Sequence, residues 1–93
     1  MNLITLDFET FYDRGYSLSK ITTENYIRHR DFEVIGVAIK EGAEETHWVS
    51  GTHEQIGEYL TRYDWENSML LAHNTMFDGA ILNWQFGITP KIY

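Results

Sequence analysis

The alternation of apolar and polar residues predicts four strands. Residues 2–10 are apolar and β-branched before they turn acidic, which is typical of a buried strand with carboxylates at its C-terminal end. Short apolar runs at residues 32–40, 46–50 and 68–73 predict three further strands. Residues 41–43 (Glu-Gly-Ala) predict a turn between the second and third strands, which are therefore expected to form a hairpin.

Helical signals fall between and after these strands. A short helix is expected over residues 24–28, capped by Thr22 or Thr23. Thr52 and Gln55 have the spacing of a capping box, which predicts the start of a second helix. Apolar residues at helical spacing in the second helix and in a third are expected to face the core: Ile56, Tyr59, Leu60, Tyr63, Phe77, Ile81, Leu82, Trp84 and Phe86.

The order of these elements predicts the fold. Gly87 is suited to end the third helix, and residues 88–93 are expected to leave the domain in an extended conformation. A strand–helix–strand unit over residues 46–72 implies parallel pairing within the sheet. We therefore expect one α/β domain over residues 1–93, with a mixed sheet and flanking helices. Strands 1–3 should be antiparallel, and strand 4 should lie parallel to strand 1.

Composition excludes several classes of function. Fourteen acidic residues against seven basic ones give a net charge of −7, which argues against simple electrostatic binding of nucleic acid. The absence of cysteine excludes disulfides, zinc ribbons and thiol nucleophiles. No apolar run has the roughly 20 residues that a membrane span needs, so no membrane partner is expected.

Asp7 and Glu9 are the first candidates for chemistry. They lie two residues apart on a strand, so their carboxylates project from one face at the strand's C-terminal end. Carboxylate oxygens are ligands that Mg²⁺ and Mn²⁺ prefer. The same D-x-E spacing occurs at residues 31–33 and 64–66, where polar segments make surface acids the simpler interpretation. Only the first pair ends an apolar strand.

Residues 72–78 form a second candidate, at the end of strand 4 and the start of the third helix. Asn74 has a structural explanation as a helix cap, and Asp78 has one as a first-turn carboxylate that complements the helix dipole. Together with Asp7 and Glu9, however, Asp78 brings a third carboxylate to one edge of the predicted sheet. Such a cluster is costly without cations, which favours a metal site.

Residues 6–10 (LDFET) resemble the first motif of the DEDD 3′–5′ exonucleases, which have a ribonuclease-H-like fold. Residues 72–78 (AHNTMFD) resemble their second motif, and residues 22–28 and 32–38 add to the similarity. The resemblance covers nearly the whole chain and is greatest to the proofreading domain at the start of a phage-type family A DNA polymerase. It implies hydrolysis of the 3′-terminal phosphodiester of single-stranded DNA, with release of nucleoside monophosphates, in a bacterial or phage-infected cytoplasm.

The resemblance also implies a role for each matching carboxylate. Asp7 would ligate two Mg²⁺ or Mn²⁺ ions about 4 Å apart, and Glu9 would ligate one of them. Asp78 would act on the second ion, largely through water. All three would be catalytic.

Three further residues match positions that bind substrate in the family. Thr10 would lie against the terminal nucleotide, and Asn74 and Phe77 would help to hold the strand end. Phe77 stands where many relatives have tyrosine, so the tyrosine hydroxyl is missing here.

The family has a third motif, with a Tyr or His and a fourth carboxylate on a later helix, and no acidic residue follows Asp78 here. We therefore expect the N-terminal part of an exonuclease domain, truncated before its C-terminal helices and weak or inactive alone. The rest of the polymerase would be its partner. A second copy covering an unfinished sheet edge is a further expectation.

Two other functions stay open. The dispersed acidic residues are compatible with a non-enzymatic binding module such as a DNA mimic. The second alternative is a degenerate exonuclease fold that is retained only as a structural module.

The remaining polar and aromatic residues favour structural explanations. The histidines at positions 29, 47, 53 and 73 lack metal-ligand spacing and are expected to be structural or on the surface, with His73 alone near the site. The basic residues 28–30 are expected to form a solvated face rather than a contact with DNA. Trp48, Trp65 and Trp84 are expected in the core rather than stacked on bases.

Overall fold

The computed structural model describes residues 1–12, 16–18, 21–72 and 74–93. Within these ranges, four strands and three α-helices form in the predicted order, and a short 3₁₀ turn at Trp65–Asn67 precedes the last strand. The elements are β1 (Asn2–Thr10), α1 (Thr23–Arg28), β2 (Val34–Glu41), β3 (His47–Ser50), α2 (His53–Leu60), β4 (Ser68–Leu71) and α3 (Thr75–Phe86).

The four strands form one mixed sheet in the order β3-β2-β1-β4. The pairs β1–β2 and β2–β3 are antiparallel, and β4 lies parallel to β1. This arrangement confirms the predicted α/β class and the predicted strand directions. It also makes β1 a central strand, paired on both sides.

The two faces of the sheet have different environments. On β1, Ile4, Leu6 and Phe8 are buried in a core that also includes residues of α2 and α3. The alternate β1 residues Leu3, Thr5, Asp7 and Glu9 point the other way, as the period of two requires. We call this second side of the sheet, opposite the buried residues of β1, the open face.

Helix ends follow the signals in the sequence. Thr22 caps α1, since its side chain accepts a hydrogen bond from the Asn25 amide at 3.2 Å. Thr52 and Gln55 form the complete capping box of α2. Gly87 ends α3 in the left-handed conformation, with φ of 67°. These contacts confirm the predicted second cap and C-cap, and they select Thr22 over Thr23 for the first helix.

A stack of three rings runs from the surface to β1. The imidazole of His53 lies on the ring of Phe86 with centroids 4.5 Å apart, and the ring of Phe86 lies on that of Phe8 at 5.7 Å. All three rings are nearly parallel, with interplanar angles of 8° and 6°. The stack connects the first turn of α2, the end of α3 and the C-terminal half of β1.

The expectation that residues 88–93 leave the domain is wrong. Ile92 forms a parallel bridge with Met69, and its carbonyl accepts a hydrogen bond from the Leu70 amide at 2.8 Å. The edge of β4 thus pairs in part with the chain's own C-terminal segment, because unpaired strand amides need acceptors. The expected sheet edge for a second copy is therefore partly covered on this side.

The expectation that all three tryptophans are in the core is also wrong. Trp65 is buried, and its indole N–H donates to the Leu60 carbonyl at 2.7 Å. Trp84 is 38% exposed, with the Arg28 guanidinium 4.3 Å from its ring. Trp48 is 55% exposed because it lies on an edge strand and points to the open face.

We expect Thr52→Ala to lower the free energy of unfolding by about 1 kcal/mol, because it removes the acceptor of the Gln55 amide. Thr52→Ser should keep most of that stability. Urea unfolding followed by circular dichroism measures the change, and Thr46→Ala, at an exposed residue before β3, is the control. Equal stability of Thr52→Ala and wild type would contradict the assigned cap.

Candidate functional site

Asp7 and Glu9 lie side by side on the open face, near the C-terminal end of β1. Both are exposed, while Leu6 and Phe8 between and beside them are buried. Their neighbours across the β1–β2 ladder are Ala38 and Gly36, respectively. These partners are small, so the two carboxylates have no bulky neighbour on that strand.

Asp78 reaches β1 from the first turn of α3. Its side chain is only 2% exposed, and Oδ1 accepts a hydrogen bond from the Phe8 amide at 3.0 Å. The ladder between β1 and β4 extends only as far as Thr5 and Leu71, so the Phe8 amide lies beyond it. A carboxylate from the helix therefore provides the acceptor. Phe8 is the residue between Asp7 and Glu9, so this bond holds Asp78 beside both.

Asp78 lies in the electrostatic field of the two other carboxylates. Burial raises the pKa of Asp78 to about 6, and the negative charges of Asp7 and Glu9 contribute to the rise. Hydrogen bonding from the backbone of Phe8 and of Asn74 opposes it. The sequence-predicted cluster of Asp7, Glu9 and Asp78 is therefore brought together in space.

The cluster is not a closed cage for one ion. Among the described residues, no three His, Cys, Asp or Glu side chains are arranged to hold a metal ion. Asp7 and Glu9 nevertheless offer exposed carboxylate oxygens. Mg²⁺ commonly binds through one or two carboxylates and completes its shell with water and substrate phosphate. The two exposed carboxylates have the donor chemistry that an open site of that kind requires. His73, expected near the site, lies outside the described residues.

Thr10 is fixed to α1 through Tyr26. The Tyr26 hydroxyl donates to the Phe11 carbonyl, so its single proton is used there. The Thr10 hydroxyl, 2.9 Å from the Tyr26 oxygen, must then be the donor in the bond between them. This bond explains Thr10 structurally, and its contact with a terminal nucleotide stays a prediction.

Asn74 and Phe77 also have structural explanations. The Asn74 side chain caps α3 by accepting from the Phe77 amide at 3.2 Å. The Phe77 ring is only 8% exposed and packs 6.0 Å from the ring of Tyr26. Asn74 is exposed beside the cluster, whereas Phe77 supports it from the core. Their expected roles in binding substrate stay predictions.

The basic segment 28–30 is exposed, and two of its residues contact neighbouring residues of the chain. The Arg28 guanidinium lies 3.7 Å from the Glu24 carboxylate, and the Asp31 amide donates to His29 Nδ1 at 3.0 Å. Together with the stacking of Arg28 on Trp84, these contacts agree with a solvated structural face.

Sequence reasoning did not place two residues on the open face, although it weighed stacking of bases on Trp48. Lys40 pairs with Thr5 across the β1–β2 ladder, and Trp48 pairs with Ala38 across the β2–β3 ladder. Cross-strand partners share a face, so both side chains lie on the face of Asp7 and Glu9. The hairpin register would have revealed them, because it aligns Trp48, Ala38 and Asp7.

Comparison with known protein families, with curated proteins and with solved structures finds no significant match. None of the described helices has the length and apolar character needed to cross a membrane.

We expect Asp78→Asn to stabilise the protein at neutral pH. The pKa of Asp78 is raised in the folded state, so the folded state holds that proton more tightly and wild-type stability falls as pH rises from about 4 to about 6. Asp78→Asn does not titrate and so does not lose this stability. Its free energy of unfolding should exceed that of the wild type by up to about 3 kcal/mol at pH of about 7.5. The difference should disappear near pH of about 3.5.

Urea unfolding in EDTA across this pH range measures the effect. Glu45→Gln, at an exposed residue of the β2–β3 turn, removes one negative charge elsewhere and is the control. A lower stability of Asp78→Asn at every pH would show that the carboxylate is a net stabiliser and would contradict the prediction.

Proposed function

We propose that this chain contributes the first part of a metal-dependent 3′–5′ exonuclease site, in a ribonuclease-H-like domain that proofreads for a DNA polymerase. The observation that carries the proposal is the bond from the Phe8 amide to Asp78. It unites the two segments that resemble exonuclease motifs, and the pKa of Asp78 responds to both carboxylates of the first segment. The mixed sheet, with β4 parallel to β1, supports the fold assignment.

Each carboxylate has a distinct part in the proposed site. Asp7 and Glu9, exposed on the open face, would bind Mg²⁺ or Mn²⁺ directly. Asp78 would fix the backbone at Phe8, the residue between them, and would add a negative charge that favours cation binding. When bound, the ions would activate the attacking water and stabilise the leaving 3′-oxygen.

The same arrangement explains how an acidic protein would handle a phosphodiester. At a net charge of −7, the chain repels nucleic acid on average. Divalent cations at Asp7 and Glu9 would reverse the sign of the charge where the phosphate must approach. Substrate binding should therefore depend on divalent metal.

The family uses a fourth carboxylate, and the sequence has no acidic residue after Asp78. The complete site would therefore need a carboxylate from the rest of the polymerase, which we propose as partner. We expect slow cleavage, at most, by the 93 residues alone.

A non-catalytic module with an exonuclease-like fold is the second candidate. It is favoured by the absence, among the described residues, of three side chains arranged to hold one ion. In that case the carboxylates would remain as an acidic surface for a basic partner.

Metal binding separates the two candidates. Mn²⁺ titration followed by electron paramagnetic resonance should detect a site that Asp7→Asn removes. Asp64→Asn is the matched control, because Asp64 starts the same D-x-E spacing elsewhere in the chain. Any shortening of a 5′-labelled single-stranded DNA from its 3′ end in Mn²⁺ should be slow, and Asp7→Asn should abolish it.

Failure of the wild type to bind Mn²⁺ at Asp7 would reject the exonuclease proposal. Mn²⁺ binding at Asp7 without cleavage would agree with a site that still needs the fourth carboxylate, whereas metal-dependent cleavage that Asp7→Asn abolishes would reject the non-catalytic module. Equal loss of Mn²⁺ binding in Asp7→Asn and Asp64→Asn would indicate a diffuse acidic surface instead of a site.

A further inference from the structure

Trp48 lies in line with the candidate site on the open face. Asp7 pairs with Ala38, and Ala38 pairs with Trp48, so the three residues form one row across β1, β2 and β3. Neighbouring strands are about 4.8 Å apart, which separates Trp48 from Asp7 by about two strand spacings. Trp48 is 55% exposed, an unusual position for the largest apolar side chain.

The indole ring leans toward Glu9. A methyl group built on Gly36 would lie 2.4 Å from Trp48 Cζ2 and 2.6 Å from Cη2, so the ring lies directly over this glycine. Gly36 is the cross-strand partner of Glu9. The outer edge of the indole is therefore only about one strand spacing from the backbone of Glu9.

One face of the Trp48 ring is covered, because it packs over Gly36. Aromatic side chains often cover glycines in sheets, and this contact stabilises the β2–β3 pair. The other side of the indole is open to solvent. Trp48 is one end of the cross-strand row whose other end is Asp7.

Lys40 adds a positive charge to the same face. It is the cross-strand partner of Thr5, and it lies two residues along β2 from Ala38, about 7 Å away. Lys40 forms no ion pair with any of the described residues. An uncompensated lysine is notable in a chain with twice as many acidic as basic residues.

We propose that the open face binds a single-stranded nucleic acid, with a base stacked on the Trp48 indole and a backbone phosphate on the Lys40 ammonium. Stacking on aromatic side chains combined with cationic phosphate contacts is the general way in which proteins hold single strands without reading sequence. The inference rests on the proposed function, because Asp7 and Glu9 would then receive the strand end. It assigns Trp48 and Lys40 as positioning residues that do not touch the scissile bond.

The exposed aliphatic residues of this face lie toward the other end of β1: Leu3 is on β1, and Leu71 pairs with Thr5, the partner of Lys40. Met69 and Leu71 are on β4, on the other side of β1 from Trp48. A protein partner would be expected to cover those residues, whereas the strip from Trp48 to Glu9 combines one aromatic ring with charged groups. We therefore favour nucleic acid as the ligand of this strip.

Fluorescence anisotropy of a labelled short oligothymidylate tests the proposal, with Ca²⁺ replacing Mg²⁺ so that the strand stays intact. Trp48→Ala should weaken binding about 5- to 150-fold, the range that loss of one stacked base predicts. Trp48→Phe should restore most of the affinity. Trp84→Ala, at the other exposed tryptophan, is the matched control and should bind like wild type.

The lysine is tested through the dependence of binding on salt. Lys40→Ala should reduce the slope of log affinity against log salt by about 0.7, the value for one phosphate contact to a single strand. Lys91→Ala, in the C-terminal segment, should leave the slope unchanged. An oligonucleotide of abasic sites should bind wild type and Trp48→Ala equally, because it has no base to stack.

Unchanged binding by Trp48→Ala, or no binding of oligothymidylate to wild type, would overturn the inference. So would self-association of wild type that Trp48→Ala abolishes, since the strip would then be an interface between copies. Thermal unfolding of each variant identifies losses that come from misfolding, and Trp48→Phe then decides. Mn²⁺ binding at Asp7 does not involve Trp48, so failure here is distinguishable from failure of the proposed function.

Discussion

The hydrogen bond from the Phe8 amide to the Asp78 carboxylate is the interaction on which the site depends. It joins residues 70 positions apart and ties the first turn of α3 to the central strand. Burial of a carboxylate at 2% exposure is unfavourable, and the charges of Asp7 and Glu9 make it more so. Among the described residues, Asp78 is the one buried charged side chain, and Ser68 is the one other buried polar residue. Proteins tolerate such exceptions mainly at functional sites.

The fold was predictable because its signals are local. The alternation along β1 identifies a strand with two different faces, and the capping box at Thr52 and Gln55 identifies the start of α2. The parallel pairing of β4 with β1 follows from the helix between β3 and β4. Once these elements are in place, the ends of β1 and β4 meet, which brings Asp78 to Asp7 and Glu9. The cluster could thus be predicted from topology.

What could not be predicted depends on contacts distant in sequence. Tryptophan is a residue type that is usually buried. Trp48 is exposed because β3 lies at the edge of the sheet. The bridge of Ile92 to Met69 forms because β4 has an edge to fill, which no pattern within residues 88–93 reveals. Likewise, Phe77 is buried because it packs against Tyr26, a residue distant in sequence. The motif over residues 72–78 alone could not show that this ring is inaccessible to a substrate.

The stack of His53, Phe86 and Phe8 has a practical consequence. Each ring lies in the magnetic shielding region of the next, so the imidazole protons of His53 should resonate away from those of a free histidine. Phe8 is flanked by two of the carboxylates, and its amide binds the third. A shift of Phe8 would propagate through Phe86 to a surface imidazole whose signals are well separated from those of aliphatic protons. His53 therefore provides a native spectroscopic reporter, two ring contacts away, of any rearrangement of β1 at the carboxylates.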